Sequence, residues 1–213
     1  MQENEVGRME ISFYFITDRN LSVNGIIQDV EDALEAGARM IQYREKELST
    51  RKMYEKGLEI EKLCEKYGAK YIVNDRIDIA RATGADGVHI GQDDMLLELT
   101  KKLIPDAIVG VSCSNVKEAV EAVKGGADYL GVGPIYPTST KEDAGRPIGA
   151  KGIRKISENV GLPIVAIGGI TLERVKELIK AGADSVSAIS ATVGPRTGEN
   201  VARFVEEIRR WGK

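Results

Sequence analysis

Glu35-Ala-Gly-Ala-Arg39-Met-Ile-Gln-Tyr43 joins the end of an amphipathic stretch to a short apolar run through Gly-Ala. The same junction recurs at Tyr67-Gly-Ala-Lys70, Thr83-Gly-Ala-Asp86, Gly125-Gly-Ala-Asp128 and Ala181-Gly-Ala-Asp184. A glycine that enters the left-handed region ends a helix at its C′ position, and a small alanine then allows a tight turn into a buried strand. Runs such as Met40-Ile-Gln-Tyr43, Tyr71-Ile-Val73, Tyr129-Leu-Gly-Val132 and Ile164-Val-Ala-Ile167 have strand length and strand composition. Between them, Arg51 to Tyr67, Asn115 to Lys124 and Leu172 to Lys180 space apolar residues three and four apart, with Lys and Glu opposite. Asn115 and Thr171 are expected N-caps.

Working outward gives strands near 11–16, 39–43, 70–73, 87–90, 107–111, 128–132, 163–167 and 185–189. Eight strands alternating with helices are the mark of parallel βα construction. A closed barrel competes with an open doubly wound sheet, and the first strand decides between them. It runs into Phe13-Tyr-Phe-Ile-Thr-Asp-Arg19 without the glycine-rich loop that a dinucleotide fold needs there. The expectation is one compact (β/α)8 TIM barrel over 1–213, with 1–10 a flexible extension. At 213 residues it stands near the low end for this fold.

A net charge of −3 and a pI near 5.5 offer no basic field for nucleic acid. With 42% hydrophobic and 30% charged residues the chain reads as globular. Cys64 and Cys113 form no CxxC motif, no apolar run reaches membrane-span length, and the polar start lacks a signal sequence. A soluble cytoplasmic protein with no membrane partner is expected.

In a barrel, chemistry belongs to the loops after the strands. After the second strand, Gln42, Arg44 and Lys46 share one side of an extended chain and form a cationic clamp for phosphate oxygens. Asp75, beside Asn74, and Asp94 top the third and fourth strands, where two carboxylates could share magnesium. The plainer reading makes each aspartate a helix cap, and Asp93 is expected to be one. Ser112 follows the fifth strand. The long loop Gly131-Val-Gly-Pro-Ile-Tyr-Pro-Thr-Ser-Thr-Lys141 follows the sixth, and loops of that length in compact barrels are usually functional. Gly168-Gly169 and Ser190, after the seventh and eighth strands, suit the usual phosphate site of the fold. His89, the one histidine, sits between Val88 and Ile90 and is expected to be structural. No Ser-His-Asp or Cys-His set can be assembled, and nothing suits zinc. Two anion sites, one cationic and one neutral, predict two phosphorylated substrates, one of them a diphosphate.

These segments resemble the thiamine-phosphate synthase family, in the family's order, from about Tyr14 to the chain end: Gln42-Tyr-Arg-Glu-Lys46, Asn74-Asp75, Ala85-Asp-Gly-Val-His-Ile-Gly-Gln-Asp-Asp94, Gly110-Val-Ser112, the loop 131–141 and Ala166-Ile-Gly-Gly-Ile170. The resemblance implies a transferase that joins hydroxymethylpyrimidine diphosphate to hydroxyethylthiazole phosphate. It implies that Gln42, Tyr43, Arg44, Glu45, Lys46, Asn74, Ser112 and Lys141 contact the pyrimidine diphosphate, with Arg44, Lys46, Ser112 and Lys141 catalytic. It further implies Mg2+ on Asp75 and Asp94, and the thiazole phosphate at Thr138, Ser139, Thr140, Gly169, Ile189 and Ser190. The expected partners are these two small molecules, with a homo-oligomer allowed. Two alternatives are a thiazole tautomerase-like barrel and a regulator that binds thiamine precursors without turnover. The tautomerase would need a basic residue just after the fifth strand, where Ser112-Cys-Ser114 stands. The retained leaving-group machinery argues against the regulator.

Overall fold

In the computed structural model, which describes residues 11–140 and 145–212, eight strands alternate with helices along the chain. The strands are β1 (Tyr14–Ile16), β2 (Met40–Tyr43), β3 (Lys70–Asn74), β4 (Gly87–Ile90), β5 (Ile108–Cys113), β6 (Tyr129–Val132), β7 (Ile164–Ile167) and β8 (Ser185–Ser187). All pair in parallel with their sequence neighbours, in the order β1 to β8. The Ser185 hydroxyl donates to the Ser12 carbonyl (3.1 Å) and ties β8 back to the entry of β1. The result is a nearly closed (β/α)8 barrel. Among the described residues the α-helices are α1 (Ile26–Glu35), α2 (Thr50–Tyr67), α3 (Ile77–Thr83), α4 (Leu97–Leu103), α5 (Val116–Lys124), α6 (Gly149–Ser157), α7 (Val175–Ala181), α8 (Ile189–Thr192) and α9 (Thr197–Trp211). None of them is long and apolar enough to cross a membrane.

The Gly-Ala junctions do what their chemistry predicts. Gly37, Gly68, Gly84, Gly126 and Gly182 all have positive φ, from 63° to 110°, where an L side chain would be strained. Each ends a helix and turns the chain into a buried strand.

Side chains divide by strand parity. Phe13, Phe15, Ile41, Tyr43, Val73, Val88, Val109, Leu130 and Val186 pack outward against the helices in the main core. Tyr14, Met40, Ile72, Tyr129 and Val165 fill the barrel interior. Burial of both faces explains why the strands read as apolar runs rather than as alternating ones.

Three local expectations differ. The eighth strand ends at Ser187, and Ile189 and Ser190 open the short α8 instead. Thr171 makes no side-chain cap, because the chain first takes a 3-10 turn over Leu172–Arg174. Asp93 caps no helix, since α4 starts beyond Leu96. The cap expected at Asn115 is present: its side chain accepts the Glu118 N–H at 3.0 Å. Residues 1–10, expected to be a flexible extension, lie outside the described residues.

Candidate active site

The strand tops 2 to 4 gather charge of both signs. At the end of β1, Thr17 accepts the Arg44 N–H (2.9 Å) and donates to the Arg44 carbonyl (3.1 Å). Asp18, 6% exposed, sets a carboxylate oxygen 3.6 Å from the Arg44 guanidinium. Its other oxygen accepts the N–H groups of Asn20 and Leu21. Thr17 and Asp18 therefore hold the clamp arginine in place. Sequence reasoning passed over this pair, though a polar Thr-Asp directly after an apolar strand was the available signal.

Lys46 reaches over β3 to donate to Asp75 at 2.5 Å. Asp75 stands at φ 58°, a left-handed conformation in a residue other than glycine, and its N–H donates to the His89 carbonyl (2.8 Å). Such conformations cluster at functional sites, and Asp is among the residues that tolerate them. Asp94 lies within hydrogen-bond reach of Asp75, and its own carboxylate accepts the Gly91 N–H at 2.7 Å. Burial, with the Asp94 carboxyl beside it, pushes the Asp75 pKa up; the Lys46 ammonium opposes that rise. Neither aspartate caps the following helix, for α3 and α4 start without a side-chain cap. Among the described residues no cage of three or more His, Cys, Asp or Glu exists. A pair of neighbouring carboxylates at the barrel mouth has the donor chemistry for magnesium, which takes few protein carboxylates and fills its other positions with water and phosphate oxygens.

Two expected contacts face elsewhere. Tyr43 is buried in the layer between barrel and helices, not in the mouth. Glu45, 7% exposed, accepts the N–H groups of Glu47 and Leu48 and so shapes the loop that carries Lys46. Gln42, Asn74 and Ser112 sit on the interior-facing parity. Gln42 donates to the Tyr14 hydroxyl (2.7 Å), and Ser112 bonds to His89 Nε2 (2.9 Å).

Across the mouth, the loop after β6 is stitched to the end of β7. The Ile135 N–H donates to the Ile167 carbonyl, and the Tyr136 N–H to the Gly168 carbonyl. Gly169 is required twice over: its φ is 63°, and a Cβ would stand 2.4 Å from the Pro137 carbonyl oxygen. The loop can therefore lie directly on the Gly168-Gly169 turn as far as Pro137, with Thr138, Ser139 and Thr140 following. Thr138 accepts the Thr140 N–H at 3.3 Å. Ser190 is exposed, next to Ile189 at the start of α8, just after β8. Lys141 lies outside the described residues. Cys113 is buried, which pushes its thiol up to about 12 and leaves it unreactive.

A sequence model of the family described as thiamine monophosphate synthase matches residues 13–192. The thiamine-phosphate synthase of Methanosarcina barkeri is 50% identical over 206 residues, covering 96% of this chain and 93% of its own length. That of Pyrococcus furiosus is 46% identical over 203 residues, with 95% of both chains covered. A solved structure of thiamine phosphate pyrophosphorylase from Pyrococcus furiosus superposes with a TM-score of 0.84 at 44% identity, over 94% of this chain and 95% of that one. With the fold, the order of the motifs and these near full-length similarities in agreement, the chain belongs to the thiamine-phosphate synthase family of enzymes.

Proposed function

We propose that the protein condenses 4-amino-2-methyl-5-(diphosphooxymethyl)pyrimidine with 4-methyl-5-(2-phosphooxyethyl)thiazole, giving thiamine phosphate and diphosphate. The observation that carries this reading is the charge layout of the mouth. Lys46, Asp75 and Asp94 meet at the tops of β2 to β4, with Arg44 held by Asp18 after β2, opposite a neutral glycine and hydroxyl surface at β7 and β8. One side suits a diphosphate that leaves, the other a phosphate that only has to be held.

Gln42, Arg44, Lys46, Asn74, Ser112 and Lys141 bind the pyrimidine diphosphate. Thr138, Ser139, Thr140, Gly169, Ile189 and Ser190 receive the thiazole phosphate. The bond from the pyrimidinylmethyl carbon to the diphosphate oxygen breaks, and its electron pair leaves with the diphosphate. The aminopyrimidine ring stabilises the resulting cation, and the thiazole nitrogen lone pair then forms the new carbon–nitrogen bond. No proton is lost, so no general base is required. Arg44, Lys46 and Lys141 stabilise the charge that grows on the leaving group. Asp75 and Asp94 would hold a magnesium ion, which supplies further neutralisation of that charge. Two buried free thiols suit a reducing cytoplasm.

Incubation of both substrates with magnesium should yield thiamine phosphate by mass, and omission of either substrate should yield none. No product with both present would defeat the reading.

A further inference from the structure

His89 takes no part in that chemistry, yet it is the centre of a buried polar chain across the barrel. Gln42 Nε2 donates to the Tyr14 hydroxyl at 2.7 Å, and Tyr14 and Tyr129 share a 2.7 Å hydroxyl contact. The Tyr129 hydroxyl is 2.9 Å from His89 Nδ1, and His89 Nε2 is 2.9 Å from Ser112 Oγ. The chain thus links β2, β1, β6, β4 and β5, and its two ends are candidate substrate residues. Tyr14 and Tyr129 are 1% and 0% exposed.

The backbone makes room for it. A Cβ on Gly110 would stand 2.0 Å from Tyr129 Cζ, and one on Gly131 would stand 2.7 Å from His89 Cε1. Two glycines in adjacent strands therefore admit the two rings. This accounts for Gly110 and Gly131 through packing.

Donor counting gives the chain a direction. An amide nitrogen can only donate, so Tyr14 accepts from Gln42, and the partner within the chain left for its own hydrogen is the Tyr129 hydroxyl. Tyr129 must then donate to His89 Nδ1. In the neutral imidazole, with one donor and one acceptor, this direction puts the proton on Nε2, facing Ser112. The Ser112 hydrogen is left for an acceptor outside the chain. Burial raises the pKa of both phenols, so both hydroxyl hydrogens stay available.

We propose that Gln42, Tyr14, Tyr129, His89 and Ser112 form a one-way hydrogen-bond chain whose direction, set by the Gln42 amide, makes Ser112 a dedicated donor to an acceptor atom of the pyrimidine diphosphate. Tyr14, Tyr129 and His89 are positioning residues. The identity of that acceptor rests on the activity proposed above; the chain and its direction do not.

Because His89 is the single histidine of the sequence, its ring nitrogens can be read by 15N NMR on the whole protein without assignment and without substrate. The native protein should show the Nε2–H tautomer. Gln42→Glu replaces the donor with an acceptor, which reverses every link and should move the proton to Nδ1. Nδ1–H in the native protein, or Nε2–H retained in a folded Gln42→Glu variant, would overturn the direction. Should that variant not fold, Tyr14→Phe serves instead. It cuts the chain and should give a mixture of tautomers, whereas an unmixed Nε2–H signal would refute control by Gln42. Tyr14→Phe should also lower kcat about threefold to tenfold, the range for one hydrogen bond, with KM for the thiazole phosphate unchanged. An unchanged kcat with the expected mixture would remove the donor role from Ser112. No thiamine phosphate from the native protein would defeat only the activity, since the tautomer result stands apart from it.

Discussion

Asp75 is held where its charge is disfavoured. Its carboxylate is partly buried and faces Asp94, its φ is 58°, and the Lys46 ammonium relieves it. An acid whose pKa is raised on folding binds its proton more tightly in the folded state. Its ionised form therefore costs stability at neutral pH, and that cost disappears as pH falls through the raised pKa. Asp75→Asn removes the charge, and asparagine accepts the left-handed conformation. The variant should melt at the same temperature or higher at pH 7 without metal, yet lose most of its turnover. A clear drop in melting temperature would show that Asp75 stabilises the fold, contrary to a role in holding a cation. His89 illustrates the limit of reading residues singly. Its apolar neighbours in the strand rightly pointed to a buried, bonded histidine, but its partners Tyr129 and Ser112 are 40 and 23 positions away in sequence. Nothing local announces them.

At the scale of elements, the strands and helices were largely legible because each Gly-Ala junction marks a helix end and each apolar run a strand. The differences arise where tertiary contacts set the boundary. Ile189 continues the apolar pattern of β8 but turns into α8. Thr171 yields its capping role to a 3-10 turn. Tyr43 and Glu45 lie inside a motif whose alternate residues face the mouth; strand parity sends Tyr43 outward, and Glu45 folds back to cap its own loop. The loop after β6 could be recognised by its length, but not its docking on β7, which depends on backbone bonds from Ile135 and Tyr136. Gly169→Ala would place a Cβ 2.4 Å from the Pro137 carbonyl in a left-handed position, a backbone cost of about 1–2 kcal/mol before the clash is counted. The variant should lose stability by at least that amount in urea titration and bind thiazole phosphate more weakly, because the loop has to lift. Unaltered stability and affinity would mean that the loop does not rest on this turn.

Across the whole molecule, the barrel brings residues from the ends of β2 to β8 to one mouth and sets the charged ones apart from the neutral ones. Lys46 and Asp75 come from β2 and β3, while Gly169 and Ser190 follow β7 and β8. Sequence order supplied this map because parallel strands in consecutive order put every strand end on the same face. The central claim is that one side of the mouth drives departure of diphosphate while the other holds a phosphate that does not react. Single-turnover kinetics on Lys46→Ala and Ser190→Ala, with each substrate varied in turn, test it most directly. Lys46→Ala should slow the chemical step, because its charge matters most as the carbon–oxygen bond breaks. Ser190→Ala should raise the thiazole phosphate concentration needed for half-maximal rate and change the maximal rate less, because its contact is alike in ground and transition states. If Lys46→Ala altered only thiazole phosphate affinity, or Ser190→Ala only the cleavage step, the two sides of the mouth would be assigned the wrong way round.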